Sequence, residues 1–389
     1  MPKQVGNVSL MQKMNRLKVL DFIRKNPDTS RPYIAEQTGL SLASLTNVTA
    51  YLLDEGLLCE CGVEPADRVG RKSTLLKFCA ERYGYIIVAL HGNSADIYYT
   101  NLEGEKKYNE TVSIVDCSSE QIIYLLREKT NFLVNRFGRE KTLAVGLTFS
   151  GLVLDGNRFA LSSSMRWNEH DIKKIFETNF GLPVFVENLS IIKAVGYLFS
   201  EKKWNDKNIV FVDMENGIGT VQIAEGSVVK TVLGEIGHTT VAPDGAACFC
   251  GNRGCLEAMC SANRLIDTVN EGGENNISTI EEFMNLYAAG DVSAVRGVEE
   301  CAHYLGIGLA NLVYMLNPSS LVIGKGQFAN CDIIIKKAVE EMKKRIYPAL
   351  LKGVDIRMAE VDEDMTVIGA AYEMCERMFD ISFPYNPVE

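Results

Sequence analysis

Between Gly234 and Glu257 the chain reads G-E-I-G-H and, ten residues after the histidine, C-F-C followed by G-N-R-G-C-L-E. One imidazole and three thiols stand beside two carboxylates, Glu235 and Glu257. A segment that must converge on one ion has far fewer backbone paths open to it than a free loop. The C-x-C-x4-C spacing with an upstream His meets the tetrahedral nitrogen and sulfur set that Zn²⁺ takes in closed structural sites. We assign His238, Cys248, Cys250 and Cys255 as ligands, with Cys260 as an alternative to the histidine. Gly245, Gly251 and Gly254 are expected to supply the positive-φ positions a metal knuckle needs. The competing reading is a tight loop of free cysteines, and metal content separates the two.

The chain has 389 residues, 47% of them apolar, enough for two or three domains each with its own core. No apolar run approaches the ~18 residues of a membrane span, and M-P-K-Q-V-G-N at the start lacks a secretory stretch. The expectation is a cytoplasmic protein without membrane insertion, its 11 cysteines reduced or metal-bound. A net charge of −10 argues against nucleic acid only on average. Residues 1–80 hold 11 Lys and Arg against 8 Asp and Glu, a local +3 that leaves −13 for the remainder.

That basic front has its own pattern. Leu17, Val19, Leu20 and Ile23 predict a helix from Asn15, stopped by Asn26-Pro27-Asp28. A second starts at Ser30 or Arg31 with Pro32 early in it and ends at Gly39. A third follows Ser41 as N-cap and runs through Leu45, Val48, Leu52 and Leu53 to Gly56. Residues 57–60 and 73–78 read as strands around a loop bearing Arg68, Gly70, Arg71 and Lys72. The order is that of a winged helix-turn-helix, the third helix entering a groove and the wing tip suiting a narrow minor groove. Candidate DNA contacts are Arg31, Ser41, Ser44, Thr46, Asn47 and Thr49, with Arg68, Arg71 and Lys72 on the wing. An ordinary three-helix fragment is the competing reading.

From Tyr85 onward strands and helices alternate. Strands are expected near 143–148, 183–186, 209–214, 220–224 and 321–323, and helices near 119–137, 171–179, 191–199, 263–270, 301–316 and 332–346. A mixed sheet flanked by helices is indicated, an α/β body.

Two motifs carry a family resemblance. Glu235 to His238 and Cys248 to Glu257 resemble the E-x-G-H and C-x-C-G-x-x-G-C-x-E elements of the ROK family (repressors, open reading frames, kinases). The first eighty residues, with Gly70-Arg71-Lys72 in the wing, resemble the DNA-binding domain of its repressor branch. The resemblance implies a winged helix-turn-helix over 1–80 followed by a two-lobed actin-like (ribonuclease H-like, sugar-kinase) body. One lobe would span 81–197, completed by 363–389, and the other 198–362 with the zinc knuckle. It also implies a structural zinc holding a loop that binds sugar hydroxyls, which makes Glu235, His238 and Glu257 candidate contacts. Gly151 and Asn188 join them, at the family's P-G-x-V/I loop and V-x-N-D-A strand end; Ser150 here replaces the proline. Ser164 to Trp167 resembles the loop that closes over the sugar, and Trp167 either stacks there or fills core.

The phosphate-transferring parts depart from that pattern. V-E-N-L-S puts Leu189 where the family's proton-accepting Asp stands, and losing such a base typically costs ~10²–10⁴-fold in rate. The first phosphate turn, D-x-G-G-T in kinases, is Ala89-Leu90-His91-Gly92-Asn93. The second, G-T-G-x-G, is Glu215-Asn216-Gly217-Ile218-Gly219, and a glutamate there repels triphosphate. Gly324-Lys325-Gly326 is as well read as a plain turn. The expectation is therefore a sugar-responsive repressor of carbohydrate-metabolism genes that binds a monosaccharide without phosphorylating it. It would bind operator DNA as a homodimer or tetramer. The alternatives are an ATP-dependent sugar kinase and a repressor controlled by a transporter or other protein partner.

Overall fold

The computed structural model describes residues 8–63, 73–154, 159–162, 167–201, 208–215, 217–229, 234–271, 276–328 and 331–380. Helix α1 (Val8–Lys25), strand β1 (Thr29–Ser30), α2 (Arg31–Thr38) and α3 (Leu42–Asp54) precede β2 (Leu58–Val63) and β3 (Thr74–Phe78). Ser30 and an early Pro32 begin α2, and Gly39 at φ +71° closes it. Ser41 caps α3, its Oγ accepting the Ser44 amide at 3.1 Å. β3 lies between β1 and β2, so a small antiparallel sheet backs the helices. Helix α1 begins a full two turns before the expected Asn15, because Leu10, Met11 and Met14 are exposed and give no buried stripe to read.

The body follows as β4 (Gly84–Leu90), β5 (Ser94–Asn101), β6 (Lys106–Ser113), α4 (Ser119–Phe137) and β7 (Thr142–Phe149). A short meander, β8 (Leu152–Leu154), β9 (Phe159–Ser162) and β10 (Trp167–His170), leads to α5 (Ile172–Phe180), β11 (Val184–Asn188) and α6 (Leu189–Glu201). Next come β12 (Asn208–Asp213), β13 (Gly219–Ala224), β14 (Ser227–Val228), α7 (Leu256–Cys260), α8 (Ala262–Asn270) and α9 (Ile280–Ala288). The chain ends through α10 (Val292–Leu316), β15 (Ser320–Gly324), α11 (Asp332–Arg345), α12 (Pro348–Leu351), β16 (Asp355–Ala359) and α13 (Glu363–Met378).

Two five-stranded sheets repeat one topology: β6-β5-β4-β7-β11 and β14-β13-β12-β15-β16. In each, three antiparallel strands are extended by two parallel ones. Helices α6 and α13 pack together between these sheets at backbone distance. A Cβ at Gly196 would stand 2.0 Å from the Met365 carbonyl oxygen, and one at Gly369 would stand 2.0 Å from that of Ile192. Larger residues at either position would force the helices apart. Among the described residues, no helix is long and apolar enough to cross a membrane.

One apolar cluster joins Leu17, Leu20, Ile23, Leu45 and Leu52 of the first three helices to Met374, Cys375 and Met378 of α13. The front of the chain thus shares its core with the body instead of closing a core of its own. The helix expected at 301–316 is the 25-residue α10, whose first half buries Ala294, Gly297 and Val298, side chains too small to advertise a face.

Candidate functional site

The loop from His238 to Cys255 is folded by two bridges, Thr240 with Cys255 and Ala247 with Arg253. Gly251 and Gly254 do take positive φ, +94° and +65°. Gly245 does not; it is required by crowding, since a Cβ there would meet Met259 Sδ at 2.6 Å and the Gly254 Cα at 2.9 Å. The ligand atoms of His238, Cys248, Cys250 and Cys255 all lie within 4.8 Å of one another. Two tetrahedral thiolates on zinc at ~2.3 Å are ~3.8 Å apart, and a thiolate and an imidazole nitrogen ~3.6 Å. Cys250 and Cys255 Sγ are separated by 3.7 Å, and Cys248 Sγ from His238 Nδ1 by 3.6 Å. The fit to a zinc-sized tetrahedral ion is close. Cys260 turns away and donates to the Leu256 carbonyl at 3.0 Å, which leaves the histidine as the fourth ligand of the cluster.

The metal loop orients two acids. His238 presents Nδ1 to the thiols, and its Nε2 lies 3.9 Å from Glu235 Oε2, too far for a hydrogen bond but close enough for charge to be felt. Phe249 lies edge-on to the same ring, centroids 5.5 Å apart. Glu257, the second residue of α7, is buried and accepts the Ile218 amide at 2.9 Å. Burial pushes both carboxyl pKa values up; for Glu235, His238 opposes this and the Glu257 charge adds to it. Charge held at a desolvation cost, with oxygens left over, suits a ligand offering several hydroxyl donors.

Asn188 closes the opposite side. Its Oδ1 accepts the amides of Ser190 and Ile191 at 2.8 and 3.2 Å, capping α6, while its Nδ2 donates to the Gly151 carbonyl at 2.7 Å. Asn188 and Gly151 are therefore brought together, Gly151 taking φ +151°. Ser190 Oγ packs against Gly219, at the end of the turn whose Ile218 amide holds Glu257, so the asparagine and the acids flank one turn. The backbone at Trp167 lies in β10, and its side chain, like Ser164, is outside the described residues.

Leu189 is fully buried and belongs to the cluster of Tyr85, Ile87, Ala89 and Ile192. Beside it, a cleft of about 380 Å³ between the sheets is crossed by charge. Lys193, 2% exposed, pairs with Glu215 and stands 3.5 Å from Asp213. His91 Nδ1 is 3.5 Å from the other Glu215 oxygen, and His91 Nε2 is 2.9 Å from Asp96. Ser190 donates to Asp213 at 2.7 Å. Burial pushes the Lys193 pKa down and Asp213 resists it. Asp96, Glu215, Asp362 and Glu363 line this cleft with His91 and Lys193, and the lysine is already committed to Glu215 and Asp213. Gly326 at φ +44° packs on the Met214 carbonyl, and Lys325 is held by Asp332 and Glu360, which makes that turn structural.

The sequence reading missed this chain of charges, although a lone lysine in Ile191-Ile192-Lys193-Ala194-Val195 signals a buried cation that needs carboxylates. It also missed Arg377 of α13, whose guanidinium pairs with Glu187 and with Glu373 at 2.7 Å.

At the front of the chain, Ser44, Thr46 and Asn47 are exposed on α3. Thr46 donates back to the Leu42 carbonyl at 2.8 Å. Thr49 is a correction: it is completely buried and accepts Arg31 Nε at 3.0 Å, so it supports the head from inside. Ser41 is occupied as the cap, and Arg31 also approaches Glu60 at 3.7 Å. Arg68, Arg71 and Lys72 lie outside the described residues.

Known proteins share this architecture. A family model described as "ROK family" matches residues 85–376. The xylose repressor of Bacillus spizizenii is 24% identical over 387 residues, covering 97% of this chain and 99% of that protein. A glucokinase of Halalkalibacterium halodurans is 29% identical over 248 residues, but this covers only 59% of this chain and 75% of the kinase. The crystal structure of a ROK family transcriptional regulator, described as a homologue of the E. coli MLC protein, superposes with a TM-score of 0.81 at 22% identity. That match covers 97% of this chain and 99% of the other.

Proposed function

The chain belongs to the ROK family, and on that premise we propose that it is a DNA-binding transcriptional repressor whose kinase-like body binds a monosaccharide and leaves it unphosphorylated. The observation that carries this reading is the Lys193–Glu215–His91 chain of charges at the cleft, while Glu235 and Glu257 keep acceptor oxygens for hydroxyl donors. The end-to-end match to a xylose repressor supports it, since the kinase match covers only 59% of this chain.

In this reading His238, Cys248, Cys250 and Cys255 hold a structural Zn²⁺. Glu235, Glu257, Asn188, Gly151 and the Nε2 side of His238 receive ring hydroxyls. Ser44, Thr46 and Asn47 enter the major groove, with Arg68, Arg71 and Lys72 of the wing on the backbone or minor groove. The domains are 1–80, 81–197 with 363–389, and 198–362. A homo-oligomer presents two heads to a palindromic operator with half-sites about one helical turn, ~34 Å, apart. Sugar binding moves one lobe against the other and alters that spacing; a coupling of ~1–3 kcal/mol suffices.

The test is an anisotropy titration of zinc-loaded protein against DNA from upstream of its own gene, at fixed salt, with D-xylose, D-glucose and other monosaccharides. Specific binding weakened by one sugar supports the reading. Specific binding indifferent to every sugar assigns control to a protein partner instead, and ADP release with a hexose overturns the non-catalytic reading.

A further inference from the structure

Helix α13 touches both ends of this device. On the sugar side Arg377, 16% exposed, pairs with Glu187, the residue before Asn188, and Glu187 Oε1 accepts the Asn188 amide at 3.0 Å. Glu373, one turn earlier, holds the same guanidinium at 2.7 Å, and the Phe185 ring lies 5.9 Å beneath it. On the head side Glu376 pairs with Arg24 of α1, which is 13% exposed. Arg24 also lies 5.0 Å over the Tyr372 ring of α13. Met374, Cys375 and Met378 share a core with Leu17, Leu20 and Ile23 of α1, and Phe379 meets Phe78 of the wing sheet edge-on at 6.5 Å.

The rest of α13 has no slack. The glycine contacts of Gly196 and Gly369 lock it to α6, whose first turn Asn188 caps, and Met374 Sδ fills the space above Gly146 of β7. Against α1 the packing is looser: an open cleft of about 300 Å³ lies between the two helices, lined by Met14, Leu17, Asp21, Arg24, Glu376 and Phe379. A rigid rod fixed to the ligand strand, and joined to the head by a charged pair and a shared apolar contact beside a gap, can transmit a small displacement as a change of head orientation.

We propose that α13 is the transmission element between the sugar site and the DNA-binding head, acting through Glu187–Arg377 at one end and Glu376–Arg24 at the other. This rests on the sugar-responsive repressor reading and names its mechanical link. The Glu187–Arg377 pair is largely withdrawn from water and so holds one geometry against its alternatives, whereas in the Arg24–Glu376 pair the arginine is covered and the glutamate is 37% exposed. Arg377 is a positioning residue, acting on the ligand through Glu187 and Asn188.

The test uses the full chain and the variants Arg24→Gln, Glu376→Gln, Arg377→Gln and Arg377→Lys. Operator affinity is measured with and without D-xylose and D-glucose, and sugar affinity by calorimetry. A responsive wild-type protein is expected to change operator affinity about 5–150-fold with sugar. Arg24→Gln and Glu376→Gln should keep sugar affinity and sugar-free operator affinity, while the ratio collapses to within about twofold of one. Arg377→Lys should retain more of the ratio than Arg377→Gln. A full response in Arg24→Gln and Glu376→Gln overturns the proposal. Wild-type protein that binds operator but ignores every sugar overturns the underlying reading instead. Hydrogen exchange needs no ligand: Arg377→Gln should speed exchange of the amides of 17–23 in α1 and leave α10 unchanged. Unchanged exchange in α1 also overturns the proposal.

Discussion

Glu257 accepts the backbone amide of Ile218 at 2.9 Å, which ties the carboxylate two residues beyond the last metal-loop cysteine to the turn between β12 and β13. Gly217 is shaped by the same contact, since a Cβ there would stand 2.3 Å from the carboxylate. The cysteine loop is thereby tied through Glu257 to that turn. Glu257→Gln should keep the Ile218 bond but lose the charge, weakening monosaccharide binding by ~1.5–3 kcal/mol, about 10–150-fold, with little change in melting temperature. Glu257→Ala should in addition lose ~1–3 kcal/mol of stability, because it orphans a buried amide. Calorimetric titration and thermal denaturation separate the two.

Metal analysis of the folded protein should find one zinc per chain, and Cys255→Ser should lose it. Thiols ligate as thiolates, so binding releases protons and acidification should expel the metal. Chelation should lower the melting temperature by several degrees and abolish monosaccharide binding, both reversed by added Zn²⁺. A protein unaffected by metal removal would return the loop to the free-cysteine reading.

Lys193→Met should destabilise by roughly 3–5 kcal/mol, since it leaves Asp213 and Glu215 facing each other without the buried cation. Adding Glu215→Gln to it should recover part of the loss, a coupling that urea denaturation of the four-member cycle measures. On the far side of His91, Asp96 is half-buried, which alone would raise its pKa. Hydrogen bonds from His91 and Thr111 outweigh this and hold it below the usual value. A folded pKa lower than the unfolded one means stability that is fully present above the ordinary value near 3.8 and lost as pH falls through the folded one. Asp96→Asn should therefore cost stability above about pH 5, and the gap should narrow as pH falls below about 4.

Asn47→Ala should weaken operator binding by ~1–3 kcal/mol and relax preference at one base position, without altering the fold. Thr49→Ala should act differently, through Arg31 and the packing of α2 on α3: a loss of stability with no change in base preference. Anisotropy with a set of single-base operator variants distinguishes the outcomes.

Much of this was legible because local rules decided it. Ser30, Pro32, Gly39 and Ser41 punctuate α2 and α3 by backbone chemistry, and the Cys and His spacing defines a ligand set before any fold is known. Leu189 and Ala89 read as losses of kinase chemistry only against the family's motifs, and an ADP-release assay tests that reading. What the sequence could not reveal depends on residues far apart in the chain. Thr49 reads as a groove residue by its type, yet its position on the helix turns it to Arg31. Gly245 reads as a left-handed turn, yet it is demanded by Met259 and Gly254 across the loop. Lys193, Glu215, His91 and Asp96 become a single chain of charges only when β4, α6 and the end of β12 meet at the cleft. Arg24 and Glu376 stand 352 positions apart, and only packing brings α13 against α1. Composition, caps and ligand spacing act within a few residues, so the sequence determines many of the elements and the His and Cys set that gathers in one loop. Desolvated charge pairs and helix contacts depend on the three-dimensional surroundings, so the chain of charges at the cleft and the packing of α13 on α1 were decided by the tertiary structure.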